Sequence, residues 1–172
     1  NQINALSNVI SSQNINYPNL KNLDLVYLIK KQNFCVVQMS IIRNGSNYGS
    51  ISHFPKITNY SFDIKENEIM SAFLNQYYKN KDIPKLILAN IIPEQKSLLE
   101  QLFSEKQSTS IKIYRPLRGF KLKILNDLEK TALQNLNKKL FQNTSNKKNL
   151  YNLSKILKLK EIKKIETYDN SH

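Results

Sequence analysis

The sequence predicts an α/β fold: a mixed five-stranded sheet in the order β-β-β-α-β-α-β-α, then a basic helical connector and one orphan strand. Three observations predict it. Residues 23–54 carry strand-forming apolar runs broken by turn residues. From residue 66 the apolar positions recur at helical spacing. Between the helical stretches lie two short apolar runs, as expected of strands buried on both faces and paired in parallel.

Each element has its own signal. Ile3, Leu6, Val9 and Ile10 fit one face of a short helix, and Asn14–Asn22, with Pro18 and several asparagines, reads as a linker. Leu23–Ile29 and Phe34–Ile42 are rich in β-formers, with a turn expected at Lys30–Asn33. Arg43–Asn47 holds an Asn-Gly pair, the strongest short hairpin signal, and Tyr48–Phe54 alternates as a third antiparallel strand ending at Pro55. Glu66–Tyr78 gathers Ile69, Met70, Phe73, Leu74 and Tyr77 on one helical face behind an acidic first turn that suits the helix dipole. Pro84–Ile92 is a buried strand, Pro93 and Glu94 open a helix bearing Leu98, Leu99, Leu102 and Phe103, and Ser110–Tyr114 is a further strand. Lys121–Phe141 is a long amphipathic helix, a break is expected at Asn143–Asn146, and a shorter helix follows with Leu150, Leu153, Ile156 and Leu157. Ile162–Tyr168 turns strand-like with no visible partner.

Composition excludes several classes. At 172 residues with 40% hydrophobic and 23% charged residues, the chain folds as one domain with appendages. Its apolar runs are far shorter than the roughly 20 residues that cross a bilayer. Cys35 is the single cysteine, which excludes a disulfide framework and a cysteine-pair zinc site and suits a reducing, cytoplasmic compartment. The sequence has neither an initiator methionine nor a basic-then-apolar leader and reads as a piece of something longer.

The net charge of +13 is informative through its distribution. Asn, Ile and Lys, all with A/T-rich codons, are abundant, so lysine count alone is explained by a biased genome. Yet residues 1–105 carry 10 basic and 8 acidic groups, whereas residues 106–165 carry 16 and 3. Codon bias spreads lysine evenly; a concentrated excess that includes Arg115 and Arg118 predicts a phosphate-facing surface. The candidate contacts are Arg115, Arg118, Lys121, Lys123, Lys138, Lys139, Lys147 and Lys148.

The order of elements looks like the ribonuclease H type, and specific strings point further. Leu157-Lys158-Leu159 followed by Ile165-Glu166-Thr167-Tyr168-Asp169-Asn170-Ser171-His172 resembles the stretch that opens the 5′-incision nuclease domain of the UvrC family of the ABC excinuclease. Ile42-Arg43-Asn44-Gly45, Ser71–Tyr78 and Pro116–Lys121 resemble three further family strings in family order, and Gln2–Leu6 resembles the last turn of the motif that contacts UvrB. Lys158 and Lys164 depart from the family's usual glycine and arginine. The resemblance implies an internal fragment of a nucleotide-excision repair endonuclease. Residues 1–22 would be the tail of the UvrB-contacting motif and a linker, 23–143 a non-catalytic ribonuclease H-like domain, and 144–172 a connector with the first strand of the active nuclease. DNA and UvrB are the implied partners, with no membrane.

The resemblance makes Asp169 the first catalytic, metal-binding carboxylate of the complete nuclease, where Mg or Mn would be held. One carboxylate cannot organise such a metal centre, so no cofactor and no cutting are expected of this chain alone. The sheet of residues 23–120 lacks the acids an active member needs: Asp24 stands alone on the first strand and the fourth ends in Ala89, Asn90 and Ile91. Asp63, Glu66 and Glu68 are explained by the start of a helix. Cys35 reads as core, and His53 as a surface or satisfied residue. Two other readings stay open: a freestanding basic α/β nucleic-acid-binding module, and a protein-interaction domain whose lysines are codon bias.

Overall fold

A computed structural model describes residues 20–31, 34–56, 64–160 and 162, apart from the side chain of Lys147. The helix expected at 2–12, the linker down to residue 19 and nearly all of the final strand lie outside the described residues. Two compact units are present, divided between Leu136 and Asn137.

The first unit holds the five-stranded sheet. β1 (Leu23–Lys31), β2 (Phe34–Arg43) and β3 (Ser46–His53) form an antiparallel meander, and β4 (Leu86–Ala89) and β5 (Lys112–Tyr114) add in parallel on the other side of β1. The order is β3-β2-β1-β4-β5, with β1 central. The Asn-Gly signal works as expected: Asn44 and Gly45 have φ of 50° and 77°, the paired positive values that let a two-residue turn follow the strand twist.

Alternation along the strands sorts the side chains onto two faces. On one, Val26, Leu28, Val37, Met39 and Ile87 pack with Met70 and Leu74 of α1 (Glu66–Tyr77) and Leu99 and Phe103 of α2 (Lys96–Gln107). On the other, Leu23, Leu25, Ile42 and Leu88 pack with Ile124, Leu125 and Leu128 of α3 (Gly119–Ile156). Both faces are covered, which is why β4 reads as continuously apolar.

Three expectations are corrected. β4 spans Leu86–Ala89 and not Pro84–Ile92, because beyond Ala89 the side chain of Asn90 takes over the pairing with β1. α2 starts at Lys96 and not at Pro93; the Glu94 N–H is already bonded to the carbonyl of Asn67. The break at Asn143–Asn146 is absent, and α3 runs through it for 38 residues. Asn, Thr and Ser each lower helix stability by only tenths of a kcal/mol, and without Gly or Pro such a stretch does not end a helix. The Thr144 hydroxyl donates back to the carbonyl of Leu140 at 3.0 Å, a local bond the helical geometry accommodates.

The second unit contains the C-terminal part of α3. Among the described residues no helix is long and apolar enough to cross a membrane.

Candidate functional site

Two places in the sheet decide whether it can do hydrolytic chemistry: the acid of the central strand and the residue that ends the fourth. Asp24, on the central strand, is 1% exposed and sits on the same side of β1 as Val26 and Leu28. One carboxylate oxygen accepts from Nη1 of Arg43 at 2.6 Å, and the other from the hydroxyl of Tyr78 at 2.5 Å. Burial, followed by the charge of Asp24, pushes the Tyr78 phenol well above its ordinary range, so it stays a donor. Both oxygens are therefore committed to the fold. Asn90 ends the fourth strand, where its carboxamide accepts from the N–H of Leu28 at 2.8 Å and donates to the carbonyl of Leu28 at 2.9 Å. A carboxylate could make only the first of these bonds.

Beside Asn90, at the C-terminal ends of β1 and β4, is a cleft of about 420 Å³. Its polar lining comes from Tyr27, Glu66, Asn90, Arg115, Asn126 and Glu129. Burial raises the Tyr27 phenol to about 12, reinforced by its hydrogen bond to Glu129 and the Glu129 charge, while Asn90 and Arg115 act weakly in the other direction. Among the described residues, no three His, Cys, Asp or Glu side chains come together to hold a metal. A divalent metal does not fit the described sheet: one acid is locked in an ion pair, and an amide stands where the second would be. The cleft is a polar cavity of mixed charge, with no nucleophile and no metal cage.

The predicted basic contacts fall in different settings. Arg115 follows β5 and lines the cleft. Arg118 is exposed at the bend before α3, Lys121 is half-buried and Lys123 exposed in its first turns. At 100° per residue Lys121 and Lys123 point to nearly opposite sides of the helix, so the structure does not bring these two together. Lys138, Lys139 and Lys148 are exposed along the second unit's part of α3, whereas the side chain of Lys147 and all of Asp169 lie outside the described residues. Among the described residues none of Arg118, Lys121, Lys123, Lys138 or Lys148 enters an ion pair, which leaves their charge to solvent.

Cys35 is buried, and burial pushes its thiol up to about 12, which keeps it protonated and inert. His53 packs against Phe73 and Tyr77, with ring centroids at 5.3 and 5.4 Å. Burial, then the charge of Lys81, lowers its pKa, and its Nε2 meets no hydrogen-bond partner among the described residues. It is a half-buried histidine held by ring contacts, and it belongs to no group of metal-ligating side chains among the described residues. The sequence reading missed the double role of Asn90, the Tyr27–Glu129 pair and two exposed rings of α3, Phe141 and Tyr151. Only the last had a local signal: aromatic residues inside an acid-free lysine run.

Comparison with known proteins agrees with this geometry. The family model described as the UvrC ribonuclease H-like domain matches residues 22–139. The chain is similar to the UvrABC system protein C of Hyphomonas neptunium, at 34% identity over 172 residues, covering 99% of this chain and 28% of the relative. It is likewise 34% identical over 178 residues to that of Caulobacter vibrioides, with the same shares covered, and 31% identical to that of Zymomonas mobilis, covering 99% and 26%. The chain thus spans 26–28% of the length of these curated relatives.

Proposed function

We propose that this chain, which belongs to the UvrC ribonuclease H-like domain family, is a non-catalytic, DNA-contacting part of a nucleotide-excision repair endonuclease. One observation carries the reading: the two acid positions of the sheet have been turned to structure, Asp24 into an ion pair with Arg43 and the end of the fourth strand into an amide bonded twice to Leu28. A sheet built this way keeps the nuclease shape without its metal site. The acid-poor basic stretch after residue 105 supports contact with DNA.

For the parent protein, the relatives' name supports a place in the UvrABC system, with UvrB as partner and incision of DNA beside a lesion as the activity. Asp169 is proposed as the first carboxylate of the complete nuclease domain, which would hold a divalent metal, Mg or Mn, that activates water for phosphodiester hydrolysis. The test is a nicking assay on damaged duplex with UvrB and Mg. This chain alone should leave the substrate intact; cleavage that disappears in Asp24→Asn would overturn the non-catalytic reading. In a chain extended through the nuclease domain, Asp169→Asn should abolish 5′ incision while leaving assembly with UvrB on DNA nearly unchanged, and wild-type incision in that variant would remove Asp169 from the mechanism.

A further inference from the structure

We infer that Phe141, Lys148, Tyr151 and Lys155 of α3 form a stacking surface for unpaired nucleobases, so that the DNA this unit meets is single-stranded or locally unwound. The inference rests on the DNA-contacting reading and narrows its substrate class.

All four residues belong to the second unit and are exposed, Phe141 by 76% and Tyr151 by 59%. At 100° per residue, Lys148, Tyr151 and Lys155 fall within about 80° of Phe141. Leu150 and Leu153, half-buried, lie on the opposite side of the helix from the middle of this group, and the buried Ser154 lies to its flank. The two rings thus occupy the solvent face of an amphipathic helix, a place where a merely solvated helix carries Lys, Gln or Asn. Among the described residues nothing covers most of either ring, so two large apolar surfaces on one lysine-rich stretch are open to a partner.

Their surroundings select the occupant. Residues 137–160 contain seven lysines and no acid, so an anionic partner is drawn to this face and a cationic one is repelled. The Lys155 ammonium lies 4.7 Å from the centroid of the Tyr151 ring, which braces the ring while leaving it mostly exposed. A rise of 1.5 Å per residue separates Phe141 from Tyr151 by about 15 Å, with Lys148 between them. Ring, cation, ring over that distance matches a few nucleotides whose bases stack on aromatic faces while lysine neutralises a phosphate. In intact duplex the bases are stacked on each other, and the rings have nothing to receive.

The experiment compares binding of the full chain to a fluorescein-labelled oligothymidylate and to a duplex of equal length, followed by anisotropy at several salt concentrations. Phe141→Leu with Tyr151→Leu keeps helix propensity and apolar character while removing both rings, and unchanged far-UV circular dichroism checks the helix. The double variant should bind oligothymidylate at least about tenfold more weakly while duplex binding moves less than about twofold. Lys148→Gln with Lys155→Gln should weaken both. An unchanged oligothymidylate affinity in the ring variant, or equal losses on both DNAs, would overturn the stacking surface and leave DNA contact standing. Salt-dependent binding to neither DNA would overturn both readings. Ring-dependent self-association in place of oligothymidylate binding would also overturn the inference.

Discussion

The carboxamide of Asn90 pairs with the backbone of Leu28 in both directions, accepting from its N–H at 2.8 Å and donating to its carbonyl at 2.9 Å. It imitates one more rung of the parallel ladder beyond the bond by which its own backbone N–H reaches the carbonyl of Val26 at 3.2 Å. An amide is the side chain that can do this, because the pairing needs a donor and an acceptor on one planar group.

Asn90→Asp should therefore destabilise the first unit by about 1–3 kcal/mol at neutral pH, since the Leu28 carbonyl loses its donor and faces a carboxylate. Urea unfolding measures the deficit. The protonated side chain regains a donor, so the folded variant binds a proton more tightly than the unfolded chain does and the deficit should narrow on acidification. The same variant should gain no metal-dependent nicking, because Asp24 remains held by Arg43 and Tyr78.

Asp24→Asn removes the anion that Arg43 and Tyr78 share. The guanidinium is partly exposed, so the loss should sit near the lower end for a broken buried pair, about 3 kcal/mol by urea unfolding. Tyr78→Phe strips one hydrogen bond and leaves the ion pair, and should cost about 1–2 kcal/mol. If Asp24 served a function other than the fold, both variants would keep wild-type stability.

Cys35 gives the pH dependence its sign. Burial holds the folded thiol up at about 12 while the unfolded thiol ionises near 9.0, so the folded state binds its proton more tightly. The contribution is complete below pH 9.0 and is lost progressively as pH rises from there toward about 12. Unfolding curves across that range should steepen in alkali for the wild type and less so for Cys35→Ala. The native thiol should also react with a disulfide reagent only at the rate at which the protein opens.

Asn135 of α3 ties the helix to the sheet through polar groups. Its Nδ2 donates to Oε1 of Gln38 at 3.0 Å and to the Ser52 hydroxyl at 2.8 Å, and Gln38 is buried. Asn135→Ala should cost only about 0.5–1.5 kcal/mol in thermal unfolding, since the Gln38 Oε1 still accepts from the Ser52 hydroxyl at 2.6 Å and its Nε2 still donates to the Ser50 hydroxyl at 2.6 Å, whereas adding Gln38→Leu should deepen the loss by taking those partners away.

Most of the fold was legible because its signals are local. The Asn44-Gly45 turn, the acidic start of α1 and the alternation of β1 and β2 need no knowledge of the rest of the chain. The errors came where a side chain acts at long range. Asn90 could be seen to be no acid, but its pairing with Leu28 crosses 62 residues and shortens β4 in a way that the apolar run conceals. The absent break in α3 had a different cause: a cluster of Asn, Thr and Ser resembles a loop in composition, yet each residue disfavours helix only slightly. Of the candidate site, the basic stretch was readable from charge alone. The commitment of Asp24 was not, because Tyr78 meets it only in the folded sheet.

The salt dependence of duplex binding tests the central claim, a fold kept for contact with DNA, most directly. Glutamine at Arg118, Lys123, Lys138 and Lys148, all exposed and outside any ion pair among the described residues, is compared with glutamine at Lys30, Lys31, Lys56 and Lys65, which removes equal charge from the nearly neutral part of the chain. Removing one side chain that neutralises a phosphate should flatten the log–log slope of affinity against salt by about 0.9. The first set should flatten it and the second leave it close to wild type; equal changes from both sets, or wild-type binding that ignores salt, would contradict the account.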